Sequence, residues 1–172
     1  ALALQEKWVG EHATDIPARL ALAGAYAAAG RTDDAIDQYE SVLRHAKDNV
    51  VALNNLAWHL RDKDPERALE CARKASSLAP DSASVTDTLA VLLMRNGDFE
   101  QARRASRRAL ARAPEHPGVR YHNAEIEAAA GNRESAMRTL SELLEQGVDF
   151  DERAKAERLL QRLGGMMQRG ER

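Results

Sequence analysis

The chain has 172 residues, of which 30% are charged, 44% hydrophobic and only 4% aromatic, and its formal net charge is −2. That balance leaves no bulk field to draw in nucleic acid or an anionic membrane, and one cysteine, Cys71, excludes an internal disulfide. No apolar run approaches the roughly 20 residues of a membrane-spanning helix, and no signal peptide is visible. Alanine, leucine, glutamate and arginine dominate, which favours helix throughout. Long β-branched runs are missing, so no sheet is expected.

Taken in order, the chain repeats itself. Ala35, Ala68, Ala102 and Ala136 are spaced 33, 34 and 34 residues apart, and Pro80 and Pro114 lie 34 apart. Gly97 and Gly131 share that period, while Gly30 stands two periods less one residue before Gly97. The second unit has Asp64-Pro65 where the others have glycine. One residue missing from that turn explains both irregularities. Such a period is the mark of an array of helix pairs rather than a single core.

Residues 1–15 read as the last helix of a preceding unit, with Leu2, Leu4, Trp8 and Val9 on its apolar side and Trp8 packed on the helix that follows. The first full unit is 16–49. Its first helix opens at Pro17, a residue suited to an initial turn, and stops at Gly30. Its second helix starts with Asp33 and Asp34 at its positive end. The next units are 50–82, 83–116 and 117–148. Their breaks fall at Asp64-Pro65, Asn96-Gly97-Asp98 and Gly131-Asn132. The segment 149–165 is a charged capping helix ended by Gly164-Gly165, and 166–172 is expected to be a disordered tail.

Each unit resembles the tetratricopeptide repeat. That motif asks for leucine and a small residue in the first helix (helix A), then an aromatic or leucine, and alanines and a late proline in the second (helix B). Unit 2 supplies Leu53, Leu56, Ala57, Leu60, Ala68, Ala75 and Pro80; unit 3 supplies Leu89, Ala90, Leu93, Gly97, Ala102, Ala109 and Pro114. Unit 4 departs at Asn123 and Glu127, where apolar residues are usual. The resemblance implies an all-α, right-handed α-α superhelix of helix-turn-helix repeats with a C-terminal capping helix. It also implies a non-enzymatic scaffold that takes a partner's peptide or helix in a concave groove lined by A helices.

The order of Ala52-Leu53-Asn54-Asn55-Leu56-Ala57-Trp58, Leu78-Ala79-Pro80-Asp81-Ser82, Asp87-Thr88-Leu89 and Arg120-Tyr121-His122 further resembles the C-terminal part of repeat lipoproteins found with PEP-CTERM/exosortase systems. This narrower resemblance implies a bacterial protein of exopolysaccharide or protein export. It would be associated with the periplasm or outer membrane, with a lipid anchor upstream; without the resemblance a cytoplasmic protein is expected.

In the family's register, the concave-facing positions are Leu20, Ala21, Gly24, Ala27 and Ala28 in unit 1 and Val51, Asn54, Asn55, Trp58, Arg61 and Asp62 in unit 2. Unit 3 offers Asp87, Thr88, Val91, Met94 and Arg95, and unit 4 Tyr121, His122, Glu125, Ala128 and Ala129. The partner-contact set drawn from these is Asn54, Asn55, Trp58, Arg61, Asp87, Val91, Met94, Arg95, Tyr121, His122 and Glu125. Side-chain amides can bond a peptide backbone from either side, and Trp58 and Tyr121 are the kind of rigid side chain that forms hot spots. The alternative for each is ordinary packing between helices. Asn55 sits where some family members have the asparagine of a carboxylate clamp, but Leu20, Gly24, Ser84 and Thr88 replace its cationic partners, so no such clamp is expected.

No enzyme motif accompanies His12, His45, His59, His116 or His122, and neither cofactor nor metal is expected. Cys71 is read as a small packing residue. Arg103, Arg104, Arg107, Arg108 and Arg112 share one B helix; the reading is a solvated face paired with acids, not a nucleic-acid site. Direct contact with an anionic polysaccharide, and self-assembly through the N-terminal edge, are the alternatives to a protein partner.

Overall fold

The computed structural model describes residues 2–170, with side chains through residue 165. All regular structure among the described residues is helical. In chain order the helices are α1 (Leu2–Glu11), α2 (Ile16–Ala28), α3 (Thr32–His45), α4 (Val50–Leu60) and α5 (Pro65–Leu78), then α6 (Ala83–Arg95), α7 (Phe99–Arg112), α8 (Pro117–Ala129), α9 (Arg133–Glu145) and α10 (Arg153–Gly170). They form two units, Ala1–Pro80 and Asp81–Arg172.

The A helices are started by side-chain caps. Asp15, Asn49, Ser82 and His116 accept a bond from the backbone N–H three residues on, at the heads of α2, α4, α6 and α8. Such caps satisfy donors that the helix itself cannot. Three A helices are stopped by left-handed glycines, Gly30, Gly97 and Gly131, with φ of 73°, 86° and 86°. Each glycine lets the next N–H reach back to the helix: Arg31 donates to the Tyr26 carbonyl, Asp98 to Leu93 and Asn132 to Glu127. This C-terminal motif closes the turn into the B helix.

The second repeat does this differently. Helix α4 has 11 residues where α2, α6 and α8 have 13. The connection that follows is longer, not shorter, than its counterparts. The missing residue therefore comes out of the end of helix A and not out of the turn, correcting the expectation above. Arg61 keeps right-handed helical geometry at the cap, and Asp64 caps α5 through the Arg67 N–H while Pro65 takes the first position. Proline there loses no hydrogen bond, so no glycine is needed.

In the first unit, α3 packs against both α2 and α4, α5 against α4, and α1 against α2. Leu22, Tyr26, Tyr39, Val42 and Leu56 fill the core, and Ala23, Ala35, Ala57 and Ala68 have no exposed surface. Alanines at these crossings let the helix axes approach closely. In the second unit, α7 packs on α6 and α8, α9 on α8, and α10 on α9. Its last layer joins Tyr121, Leu140, Leu143, Ala156, Leu159 and Leu163.

The closing helix does not stop at Gly164-Gly165. Its backbone continues to Gly170, because neither glycine takes a positive φ and glycine only weakens a helix unless its backbone turns. Of the expected disordered tail, Glu171 and Arg172 lie outside the described residues.

Candidate functional site

The A helix of the second repeat, α4, presents a polar face ending in Trp58. The Trp58 ring is half-buried. The Arg61 guanidinium lies 4.5 Å from the ring centre and donates to the Trp58 carbonyl at 2.6 Å. Arg61 also pairs with Asp62, so the indole is held in place by a cation that is itself tethered. A cation over an indole face is the strongest of such pairs. One turn earlier, Asn55 interacts with the buried Tyr39 hydroxyl of α3. Asn55 thus bridges helices. Asn54 differs: its side-chain carbonyl oxygen is buried without a hydrogen-bond partner. His59, one turn after Asn55, lies on the same side against Tyr39, with ring centres 5.9 Å apart, and burial pushes its pKa down.

In the first repeat Leu20 and Ala27 are half-buried and Ala21, Gly24 and Ala28 are exposed or nearly so. Beside them Leu4, Trp8, Ala18 and Ala21 line an apolar recess of about 290 Å³. Trp8 is 50% exposed. It donates to the cap residue Asp15 at 3.0 Å and stacks on His12.

In the second unit several expected contact residues turn inward. Tyr121 is only 4% exposed. Its ring belongs to the layer under α10, and its hydroxyl donates to Glu125 at 3.1 Å. Burial, then Glu125, raises its pKa. Tyr121 is therefore a core residue and not a groove hot spot, because the capping helix covers the A helix of the last repeat. Val91 is buried too. Asp87 is 8% exposed and accepts a 2.6 Å bond from His122 Nδ1. This bond ties α6 to α8. Burial would lower the His122 pKa, but the Asp87 bond and charge, with Glu152 and Glu125, hold it above the ordinary value. Asp87 and Val91 are thus corrected from open contacts to packing groups. Thr88 bonds its own helix through the Ser84 carbonyl. Met94 and Glu125 border a cavity, described below, while Arg95 is exposed at the end of α6.

Two tetratricopeptide-repeat models match residues 16–59 and 93–163, together more than half of the sequence. The chain is a tetratricopeptide-repeat protein. Over 77 residues it is 35% identical to the TPR repeat-containing protein PA4667 of Pseudomonas aeruginosa, covering 44% of this chain and only 13% of that protein. Solved structures share the fold at low identity. A thermophilic tetratricopeptide-repeat protein from Thermus thermophilus, TTC0263, superposes with a TM-score of 0.76 at 21% identity, covering 92% of this chain and 88% of that one. A tetratricopeptide-repeat protein from Parabacteroides merdae gives 0.77 at 17% identity, covering 98% and 66%. YrrB, described as having an unusual peptide-binding site, gives 0.66 at 21% identity, covering 84% and 75%.

Against that family pattern, the repeat protein's Asn123 and Glu127 stand at apolar positions, and the structure shows how both are accommodated. Asn123 is buried and donates to Ser106 of α7 at 2.9 Å. Glu127, 5% exposed, accepts from Arg103 at 3.1 Å and Asn132 at 2.6 Å, with Arg107 at 3.5 Å. A buried carboxylate is tolerable only when paired in this way. The arginine stripe of α7 is largely taken up by such bonds, since Arg112 also pairs with Asp81. Residues that sequence reasoning missed are Phe99, 40% exposed at the head of α7, and Lys155, Arg158 and Arg162 on α10. The period-three-and-four spacing of those cations is visible in the sequence, but by itself it reads only as the solvated side of a cap. Among the described residues no cluster of metal-ligating side chains is present, and no helix is long and apolar enough to cross a membrane.

Proposed function

We propose that this tetratricopeptide-repeat protein is a non-enzymatic scaffold that binds a peptide or helix of a partner protein on its A-helix faces. The observation that carries this is on α4, where a partly exposed Trp58 is held by Arg61 beside the partly exposed Asn54. Tryptophan and arginine are among the residues most enriched in binding hot spots. The peptide-binding description of the structurally similar YrrB supports the same class of ligand.

A narrower role, in exopolysaccharide or protein export by a bacterial envelope, is supported by the ordered strings around Asn54-Asn55, Leu78-Ala79-Pro80 and Arg120-Tyr121-His122. The test is affinity capture with wild type and with Asn54→Ala/Trp58→Ala. Both substitutions remove partly exposed side chains and should leave the fold intact by circular dichroism. Loss of the captured partner is expected; an unchanged set refutes the assignment. Co-capture of export components would support the narrower role.

A further inference from the structure

The second unit carries a groove in which α10 faces positions of the family register, Met94, Tyr121, Glu125, Ala128 and Ala129. One end is an apolar recess of about 470 Å³ whose walls include Met94, Phe99, Ala128, Ala129 and Leu163. The other end, about 430 Å³, is walled by Tyr121, Glu125, Lys155, Arg158 and Arg162. Leu159, Glu125 and Arg162 border both, so the two adjoin.

Several arginines elsewhere on the unit are taken up by carboxylates, although Arg104, Arg133 and Arg138 are not paired with one among the described residues. Arg103 and Arg107 are bound to Glu127, Arg112 to Asp81 and Arg120 to Glu142. By contrast Lys155, Arg158 and Arg162 are exposed, and among the described residues no carboxylate pairs with any of them. Their i, i+3, i+7 spacing sets them on one helix face about one turn apart. Glu125, the nearest acid in the recess, already accepts from the Tyr121 hydroxyl.

Three such cations beside an apolar recess are complementary to one kind of chain. We infer that the α8–α10 groove docks an acidic segment of a partner protein, its carboxylates on Lys155, Arg158 and Arg162 and a large apolar side chain in the Met94–Phe99 recess. The inference rests on the scaffold reading and names the partner's chemistry. A carboxylate in a guanidinium fork accepts two bonds at once, which fixes register along α10. The apolar recess supplies the contact area that a charged rim alone lacks.

The probe is a short fluorescein-labelled peptide with glutamate at every third or fourth residue and leucine and phenylalanine on the adjoining face. Anisotropy with the whole chain should give saturable binding that weakens with added salt. Arg158→Glu/Arg162→Glu should weaken it by about tenfold or more, and Phe99→Ser by several fold. The arginine variant should keep the wild-type melting curve, since both residues it alters are exposed, and the Phe99 variant should keep the helical circular-dichroism signal.

Three results would overturn the inference. One is equal binding of a peptide with glutamine for glutamate. Another is equal binding when serine replaces leucine and phenylalanine, which would reduce the groove to a general anion patch. The third is indifference to both protein variants. None of these touches the Trp58 capture experiment, whose failure would instead remove the broader scaffold reading.

Discussion

His122 and Asp87 show how one side-chain pair can link two repeats and respond to pH. Their 2.6 Å bond lies between α8 and α6. The acids facing the ring are Asp87 on α6, Glu125 on α8 and Glu152 ahead of α10. The folded pKa of His122 is raised above the ordinary value of 6.5. The stabilisation from its charged form is therefore full below the unfolded pKa and is lost as pH rises through the folded one. Urea unfolding of wild type and His122→Gln should show the larger gap near pH ~5.5 and a smaller one near pH ~8.5; a gap independent of pH would refute the pairing. Two glycines give a second residue-scale contrast. Neither Gly24 nor Gly97 has any atom within 4 Å of an added Cβ, but Gly97 has φ of 86°. Gly97→Ala should destabilise by about 1–2 kcal/mol through the left-handed backbone alone. Gly24→Ala, in mid-helix, should stabilise by about 0.5–1 kcal/mol. Thermal melts giving both the same sign would contradict this account.

At the scale of the helix, the close approach of neighbours is set by alanine. Ala68 and Ala102 have no exposed surface. Ala68→Leu or Ala102→Leu should therefore overpack α4 on α5 or α6 on α7 and destabilise by about 1–3 kcal/mol, read by denaturant midpoint at constant slope. The α7–α8 seam follows another rule. Glu127, Asn123, Ser106 and Arg103 replace apolar packing by a bonded polar layer. Glu127→Ala should destabilise by about 1–3 kcal/mol, because it strands the Asn132 amide and the Arg103 guanidinium. A neutral result would mean water replaces the carboxylate without loss. The sequence marks Asn123 and Glu127 as departures from the repeat, yet cannot supply their partners, which lie 17 and 24 residues away in the chain.

At the scale of the whole molecule, stability in a repeat protein is a sum of terms within repeats and between neighbours. Removing 151–172 should therefore uncover Tyr121, Leu140 and Leu143 and collapse amide protection in α8 and α9. Protection in α2–α4 should persist, as read by hydrogen exchange; equal loss everywhere would show a single cooperative core. The all-helical class, the 34-residue period and the breaks at Gly30, Gly97 and Gly131 were legible in the chain itself, because each depends on contacts within a few residues and on the backbone freedom of single residues. Three-dimensional packing decided the rest. It buried Tyr121, Val91 and Asp87, took the missing residue from the end of α4, and left Lys155, Arg158 and Arg162 without carboxylate partners beside an apolar recess. Periodicity says which side of a helix is apolar. Exposure and pairing depend on which neighbour covers that side, and the neighbour is chosen by packing across repeats.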